Sequence, residues 1–389
     1  MKSRQLTVAL PWHSLGHGNL GVDALTRANI AIVRAAAARI GCDVAMVTLC
    51  SMGSLPDASV PEGVTIGPNP RIKPLLAGKS EYLAVLKGCD AVLDIGEGDS
   101  WADIYGAQRF AFHAGTKMAA IALGKPLILA PQTIGPFDNA FSRNVARRVM
   151  NRARAVFTRD ALSTQYVAAQ NLKCETAEFI DVAFRLPFDE QAKAGDRVRA
   201  GLNVSGLLYN GGYSGRNEFG LSLDYVEFTH LLIEGLLERG AEVHLVPHVI
   251  GETGGNDNDS AIVPQLQARY PGLRVPDAFA DASAAKSFMS GLDFVAGGRM
   301  HACIGAFSSG TPVVPIAYSR KFNGLFGTLG YSHFVDGKVA DTRSAVAQVL
   351  AGFDNRQQLA ADIKPGLALA ARRLDAYEAR LADILLEVA

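Results

Sequence analysis

Short apolar runs alternate with longer stretches in which apolar positions recur every three or four residues, almost throughout the chain. That alternation predicts α/β architecture with parallel sheets. A strand buried on both faces reads as an unbroken apolar run, while a crossover helix needs one apolar side. Residues 6–11, 43–49, 90–95 (DAVLDI), 126–131 (PLILAP) and 155–158 read as strands. Residues 21–40 read as a helix with Ala24, Leu25, Ala28, Ile32 and Ala35 on one side. Further helices are predicted over 108–123 and, with a strongly basic character, over 139–152. Between the strands at 43–49 and 90–95, residues 51–79 are rich in Pro and Gly and are expected to be an irregular connection.

The periodicity breaks at 184–196 (FRLPFDEQAKAGD), where Pro187 and a run of charges mark a domain boundary. Beyond it, strands are predicted over 199–206 and 242–247, with a helix over 222–238 between them. Residues 293–296, a helix opening near Gly298, and 312–317 form another strand–helix–strand unit. The stretch 356–388 reads as amphipathic helix with Pro365 as a kink or boundary. The simplest assembly is two Rossmann-like domains facing across a cleft, residues 1–187 and 188–355. The C-terminal helix (356–389) would then pack back on the first domain.

Composition narrows the classes. At 389 residues the chain has material for two to three domains. With 38 Lys and Arg against 38 Asp and Glu, it lacks the basic excess of a nucleic-acid binder. No run approaches the length of a membrane-spanning helix, and the apolar start is too short for a signal peptide. Five scattered cysteines without a C-x-x-C pair fit a reducing cytoplasm rather than a disulfide framework or a structural zinc site.

In open parallel sheets, ligands collect beyond the carboxyl ends of strands, where loops and helix N-termini expose amide donors. Four junctions qualify. After the first strand, Gly16, Gly18 and Gly21 spell G-x-G-x-x-G, and Gly18 and Asn19 could meet a ligand. No acidic residue follows the second strand as a dinucleotide site requires, so a structural turn is the competing reading. After DAVLDI, the loop GEGDS offers Glu97 and Asp99 to sugar hydroxyls, or else Asp99 or Ser100 merely caps a helix. Arg159 ends the strand at 155–158 and can grip an anion, with Asp160 suited to cap the next helix; a plain salt bridge is the alternative.

The fourth junction, DFVAGGRMHACIGAFSSG, says most. Arg299 and His301 fall in the first turn of a helix whose small residues (Ala302, Cys303, Gly305, Ala306) permit close packing. A cation and an imidazole at the positive end of a helix make an anion site with an acid attached. Lys321, after the next strand, adds a second cation. His248, Glu252, Asp257 and Asp259 match no zinc or calcium spacing and read as a flexible loop with a helix cap at Asp259 or Ser260.

Taken in order, GNLGVDAL (18–25), PLILAPQTIGP (126–136), RDAL (159–162), the R-x-H of 299–301, TPVVPIAY and Lys321 resemble the polysaccharide pyruvyl transferases, over roughly residues 11–330. The resemblance implies a GT-B-like fold. It also implies transfer of pyruvate from phosphoenolpyruvate to two hydroxyls of a sugar, giving a cyclic ketal. It casts His301 as general acid and Arg159, Arg299 and Lys321 as the donor-binding set. Gly18, Asn19, Glu97 and Asp99 are expected on the acceptor side, with no metal and no cofactor besides phosphoenolpyruvate as donor substrate. The GEGDS loop departs from the run of glycines and Ser usual in the family, making the acceptor side more acidic. The implied partners are phosphoenolpyruvate and a sugar or lipid-linked oligosaccharide, with no nucleic acid. The expected location is the cytoplasm. Peripheral association with the inner face of the membrane and a homo-oligomer are compatible with this reading. Two alternatives are a nucleotide-sugar glycosyltransferase, disfavoured because Met300 to Gly310 contains no carboxylate, and a non-catalytic relative that binds a glycan or phosphometabolite.

Overall fold

In a computed structural model the chain forms two parallel sheets. The structure describes residues 5–389 except 51, 56, 72, 75–77, 99, 100, 194 and 251–255, and the side chains of Arg320 and Asn323. The first sheet is built from β1 (Gln5–Pro11), α1 (Leu20–Arg39), β2 (Asp43–Leu49), β3 (Val64–Ile66), α2 (Glu81–Gly88), β4 (Ala91–Asp94), α3 (Ala107–Ala122), β5 (Leu127–Gln132), α4 (Ala140–Met150), β6 (Ala155–Thr158), α5 (Ala161–Ala169) and β7 (Glu175–Glu178). Its seven strands run in the order β3-β2-β1-β4-β5-β6-β7.

The second contains β8 (Arg199–Asn203), α6 (Gly206–Tyr209), α7 (Tyr225–Glu238), β9 (Glu242–Leu245), α8 (Val263–Arg269), α9 (Ala282–Ser290), β10 (Phe294–Gly297), α10 (Met300–Ser308), β11 (Val313–Ala317), α11 (Arg320–Thr328), β12 (Val335–Asp336) and α12 (Thr342–Asp354). Its five strands run β12-β11-β10-β8-β9. In each sheet the first strand lies at or near the centre, and the chain crosses it to build the other half. That reversal places the crevice at the carboxyl ends of the central strands.

The apolar runs form strands because both faces are covered: every residue of β4, β5, β6, β10 and β11 is buried. The 51–79 connection contains β3, an edge strand of three residues, and β7 (ETAE) is polar enough to escape any apolar pattern. The strand from Arg199 stops at Asn203 rather than reaching 206. Ser205 leaves the sheet to cap α6, its hydroxyl accepting from the Leu208 amide.

The C-terminal stretch is one helix, α13 (Arg356–Leu386), running through Pro365 without a break. The missing backbone hydrogen bond is outweighed by burial along its length, where Leu374, Tyr377 and Leu381 join the same core as α1. Ion pairs tie α13 to the first sheet: Arg39–Glu378, Arg373–Glu178 and Arg380–Glu175. Among the described residues, no helix is long and apolar enough to cross a membrane.

The two halves are locked through α1. Asp23 is wholly buried, accepts from the Ala282 amide at the start of α9 (2.9 Å), and pairs with Arg27 (2.8 Å). Arg27 in turn reaches Asp281 at 3.3 Å. Beside this, Leu20 N donates to His248 O and Ile250 N to Gly18 O, so the first loop forms a short bridge with the loop after β9.

Candidate functional site

β10 ends where only glycine fits: a Cβ on Gly298 would lie 2.7 Å from the Tyr225 hydroxyl. The turn is fastened by Arg299 N donating to Asn203 Oδ1 (2.9 Å), and α10 starts at once. The helix lies close on its neighbour because Gly305 faces Met289, whose Cε would be 2.6 Å from an added Cβ. His301, in the first turn, therefore projects out of the second domain against α1 of the first. A methyl group on Gly21 would collide with its Nδ1. On the other side of the ring, Nε2 stands 3.8 Å from Asp181 Oδ2.

Asp181 follows β7 and caps a 3-10 turn, Val182–Arg185, through Oδ1 to the Ala183 amide (2.9 Å). Its Oδ2 accepts from Arg159 Nη1 at 2.6 Å. Burial works against ionisation of this carboxyl, yet the Arg159 guanidinium and then His301 hold its pKa down at about 2. Arg159, at the end of β6, also donates through Nε to Thr133 Oγ1 (2.8 Å). Asp160 caps α5 by accepting from the Ser163 amide. Sequence reasoning missed Asp181. The only local sign is a lone carboxylate in an otherwise apolar run, FIDVAF, and nothing there indicates that it meets residues 159 and 301.

Arg299 is held quite differently. Its fork meets Asp259 Oδ1 (2.7 Å), Asp257 Oδ1 (2.6 Å) and the Asp257 carbonyl (2.6 Å). Burial alone would weaken its charge; Asp259 and Asp257 more than offset this and raise its pKa. Asp259 does not cap a helix, as the spacing suggests. It is 2% exposed and accepts from the amides of Gly206, His248 and Val249 as well as from Arg299, making a rigid hub. His248 sits in this hub, 3% exposed. Burial, then nearby His301 and Arg299, push its pKa down to about 3. Glu252 of the same loop lies outside the described residues.

Lys321 reaches across the cleft, its Nζ donating to the Tyr105 hydroxyl at 3.0 Å. Its helix, α11, rests on the first domain where Gly324 faces Asp160. Thus Arg159 and His301 meet at Asp181, with α11 against the adjoining Asp160, whereas the Arg299 guanidinium is taken up by its own domain's carboxylates. Among the described residues, Arg159 Nη2, His301 Nε2 and both ring nitrogens of His248 are buried without hydrogen-bond partners.

Of the residues expected on the acceptor side, Gly18 is needed for close approach to the Ile250 carbonyl. The Asn19 side chain caps α1 by accepting from the Gly21 amide (3.0 Å), a structural task that leaves its carbonyl oxygen engaged. Glu97 has a left-handed backbone (φ 57°) and pairs with Arg109 at 2.9 Å. Asp99 and Ser100 lie outside the described residues.

The family model described as polysaccharide pyruvyl transferase matches residues 27–320, a span that takes in Arg159, Asp181, Arg299 and His301. The chain belongs to the polysaccharide pyruvyl transferase family. It is 21% identical over 292 residues to the amylovoran biosynthesis protein AmsJ of Erwinia amylovora, covering 72% of this chain and 69% of that protein. Among solved structures it is similar to HepE of Anabaena in complex with UDP-glucose (TM-score 0.59, 14% identity, 98% of this chain and 100% of that one). It is also similar to S. aureus MnaA with UDP (TM-score 0.56, 11% identity, 93% and 91%). At these identities the structural likeness speaks for the fold alone. The α/β architecture with two parallel sheets is shared with GT-B epimerases and glycosyltransferases.

Proposed function

We propose that this polysaccharide pyruvyl transferase family member moves the pyruvyl group of phosphoenolpyruvate onto two hydroxyls of a cell-surface polysaccharide or its precursor. The observation that carries this reading is the cross-domain arrangement of Arg159, Asp181 and His301 around one carboxylate oxygen. His301 acts as the general acid. It gives a proton to the methylene carbon of the enol phosphate, which becomes a methyl group, and the adjoining carbon takes on oxocarbenium character. A sugar hydroxyl attacks that carbon, the bond to the phosphate oxygen breaks, and a second hydroxyl closes the ketal. Of the two hydroxyl protons, one restores His301 and the other leaves with phosphate.

Asp181, an ionised carboxylate 3.8 Å from the ring, is a positioning residue. Arg159, with Nη2 uncommitted, and Lys321 grip the doubly anionic donor. Arg299, fully engaged with Asp257 and Asp259, serves that site by anchoring the first turn of α10. Glu97 and the GEGDS loop lie on the acceptor side.

The test is incubation with phosphoenolpyruvate and a panel of glycans while phosphate release is followed. Release that depends on both substrates supports the proposal. Turnover by His301→Ala as fast as wild type would falsify the acid assignment. Thermal-shift screening separates this reading from a nucleotide-sugar transferase: phosphoenolpyruvate should raise the melting temperature and UDP-sugars should not.

A further inference from the structure

The overall charge of zero conceals a strong local imbalance. Between residues 104 and 154 the chain carries eight Lys and Arg and a single acid, Asp138. Four of these cations, Arg143, Arg147, Arg148 and Arg152, lie on or directly after α4 and all are exposed. Soluble surfaces ordinarily mix both signs, so a helix face bearing arginines alone asks for an anionic partner.

The same face is apolar in a particular pattern. Phe141, Val145, Arg148 and Arg152 fall on one stripe of the helix by their spacing. Phe141 is 74% exposed, and Met118, on the neighbouring α3, is 52% exposed. Between the two helices lies a surface pocket of about 620 Å³ whose floor is Met118, Ile121, Ala122 and Val145 and whose rim is Arg148 and Arg152. Arg143 and Arg147 are tied to backbone carbonyls, whereas Arg148 and Arg152 have no hydrogen-bond or ion-pair partner among the described residues. Asp103 binds the amides of Asp138 and Asn139, which sets Ile104, 60% exposed, beside the start of α4.

We infer that the α3–α4 face is a docking surface for an anionic phospholipid bilayer. Arginines meet the phosphates, Phe141 and Ile104 enter the interface, and the pocket takes one headgroup phosphate at its rim with the adjoining methylenes on its floor. Nucleic acid fits the charge but leaves the exposed aliphatic residues without a role. The next residue after Ile104, Tyr105, holds Lys321 across the cleft, so docking on this face brings the mouth of the cleft beside the membrane. Docking itself is independent of the transferase reading, because it requires no donor, acceptor or turnover.

The experiment is sedimentation of the full chain with vesicles of phosphatidylcholine alone or phosphatidylcholine mixed with phosphatidylglycerol. The expected result is binding only to the anionic vesicles, weakening as salt is added. The double variant Arg148→Glu/Arg152→Glu should reduce affinity at least about tenfold, with an unchanged melting temperature. Phe141→Ser should reduce affinity while leaving the salt dependence intact. Equal binding to neutral vesicles, absence of binding to anionic ones, or wild-type affinity in both variants overturns the inference. So does binding to RNA of matched charge without binding to vesicles. The salt titration on the wild-type protein decides the electrostatic part even if a variant fails to fold.

Discussion

Asp181 Oδ2 stands 3.8 Å from His301 Nε2, and the same oxygen accepts a 2.6 Å hydrogen bond from Arg159. One carboxylate oxygen, contributed by the first domain, thus holds a cation of that domain and faces an imidazole of the other. Asp181→Asn keeps the shape and removes the charge. We expect kcat to fall by about tenfold to a hundredfold. Steady-state kinetics and melting temperatures of wild type and variant check this; wild-type kcat in the variant would remove Asp181 from the proposed scheme.

Gly21 is the surface against which His301 lies. Gly21→Ala adds one methyl group that would meet Nδ1, so the ring must turn away from Asp181. The expected outcome is a loss in kcat of at least about tenfold with little change in the KM for phosphoenolpyruvate. Single-turnover kinetics distinguish this from a binding defect.

Arg299 and Lys321 should respond in opposite ways. Arg299→Ala strands the carboxylates of Asp257 and Asp259, the latter 2% exposed, and should cost about 3 kcal/mol or more of stability. A large drop in melting temperature is therefore expected before any catalytic effect is measured. Lys321 is part-exposed, and its contact with Tyr105 bridges the cleft. Lys321→Ala should raise the KM for phosphoenolpyruvate and leave the melting temperature within a degree or two. If Arg299→Ala melted like wild type, the hub around Asp259 would not be the rigid support described.

Buried histidines make stability depend on pH, three of them most strongly. Burial lowers the pKa of His13 to about 4, of His248 to about 3 and of His113 to about 2. Each stays neutral in the fold while the unfolded chain takes up a proton below about pH 6.5. The contribution is fully present above that value and is lost as pH falls toward the folded pKa, at about 1.4 kcal/mol per unit per group. Denaturant midpoints should therefore decline steadily from pH 6.5 to 4. His113→Gln should flatten that slope. An identical slope in wild type and variant would count against a neutral buried His113.

The buried strands were legible because a parallel strand covered on both sides leaves an unbroken apolar run, as DAVLDI and PLILAP do. The opening of α10 could be read from two glycines followed by small residues. The edge strands β3 and β7 could not, since three or four half-exposed residues carry no apolar period. At Pro365 the local rule predicts a kink or boundary, and packing along α13 carries the helix through it. At Asn19 the sequence leaves a structural turn and a ligand contact both open, because a cap and a ligand contact use the same residue type.

The order of apolar and polar positions alone determined that this chain makes two parallel sheets with glycine-rich turns at the strand ends, because burial and backbone geometry act locally. The sequence also placed Arg159, Arg299 and His301 at such ends. Only the tertiary structure decided their partners: His301 and Arg159 share Asp181, while Arg299 belongs to Asp257 and Asp259. Charge pairing depends on distance in space, and residues 181 and 301 become neighbours only when α1 locks one domain against the other.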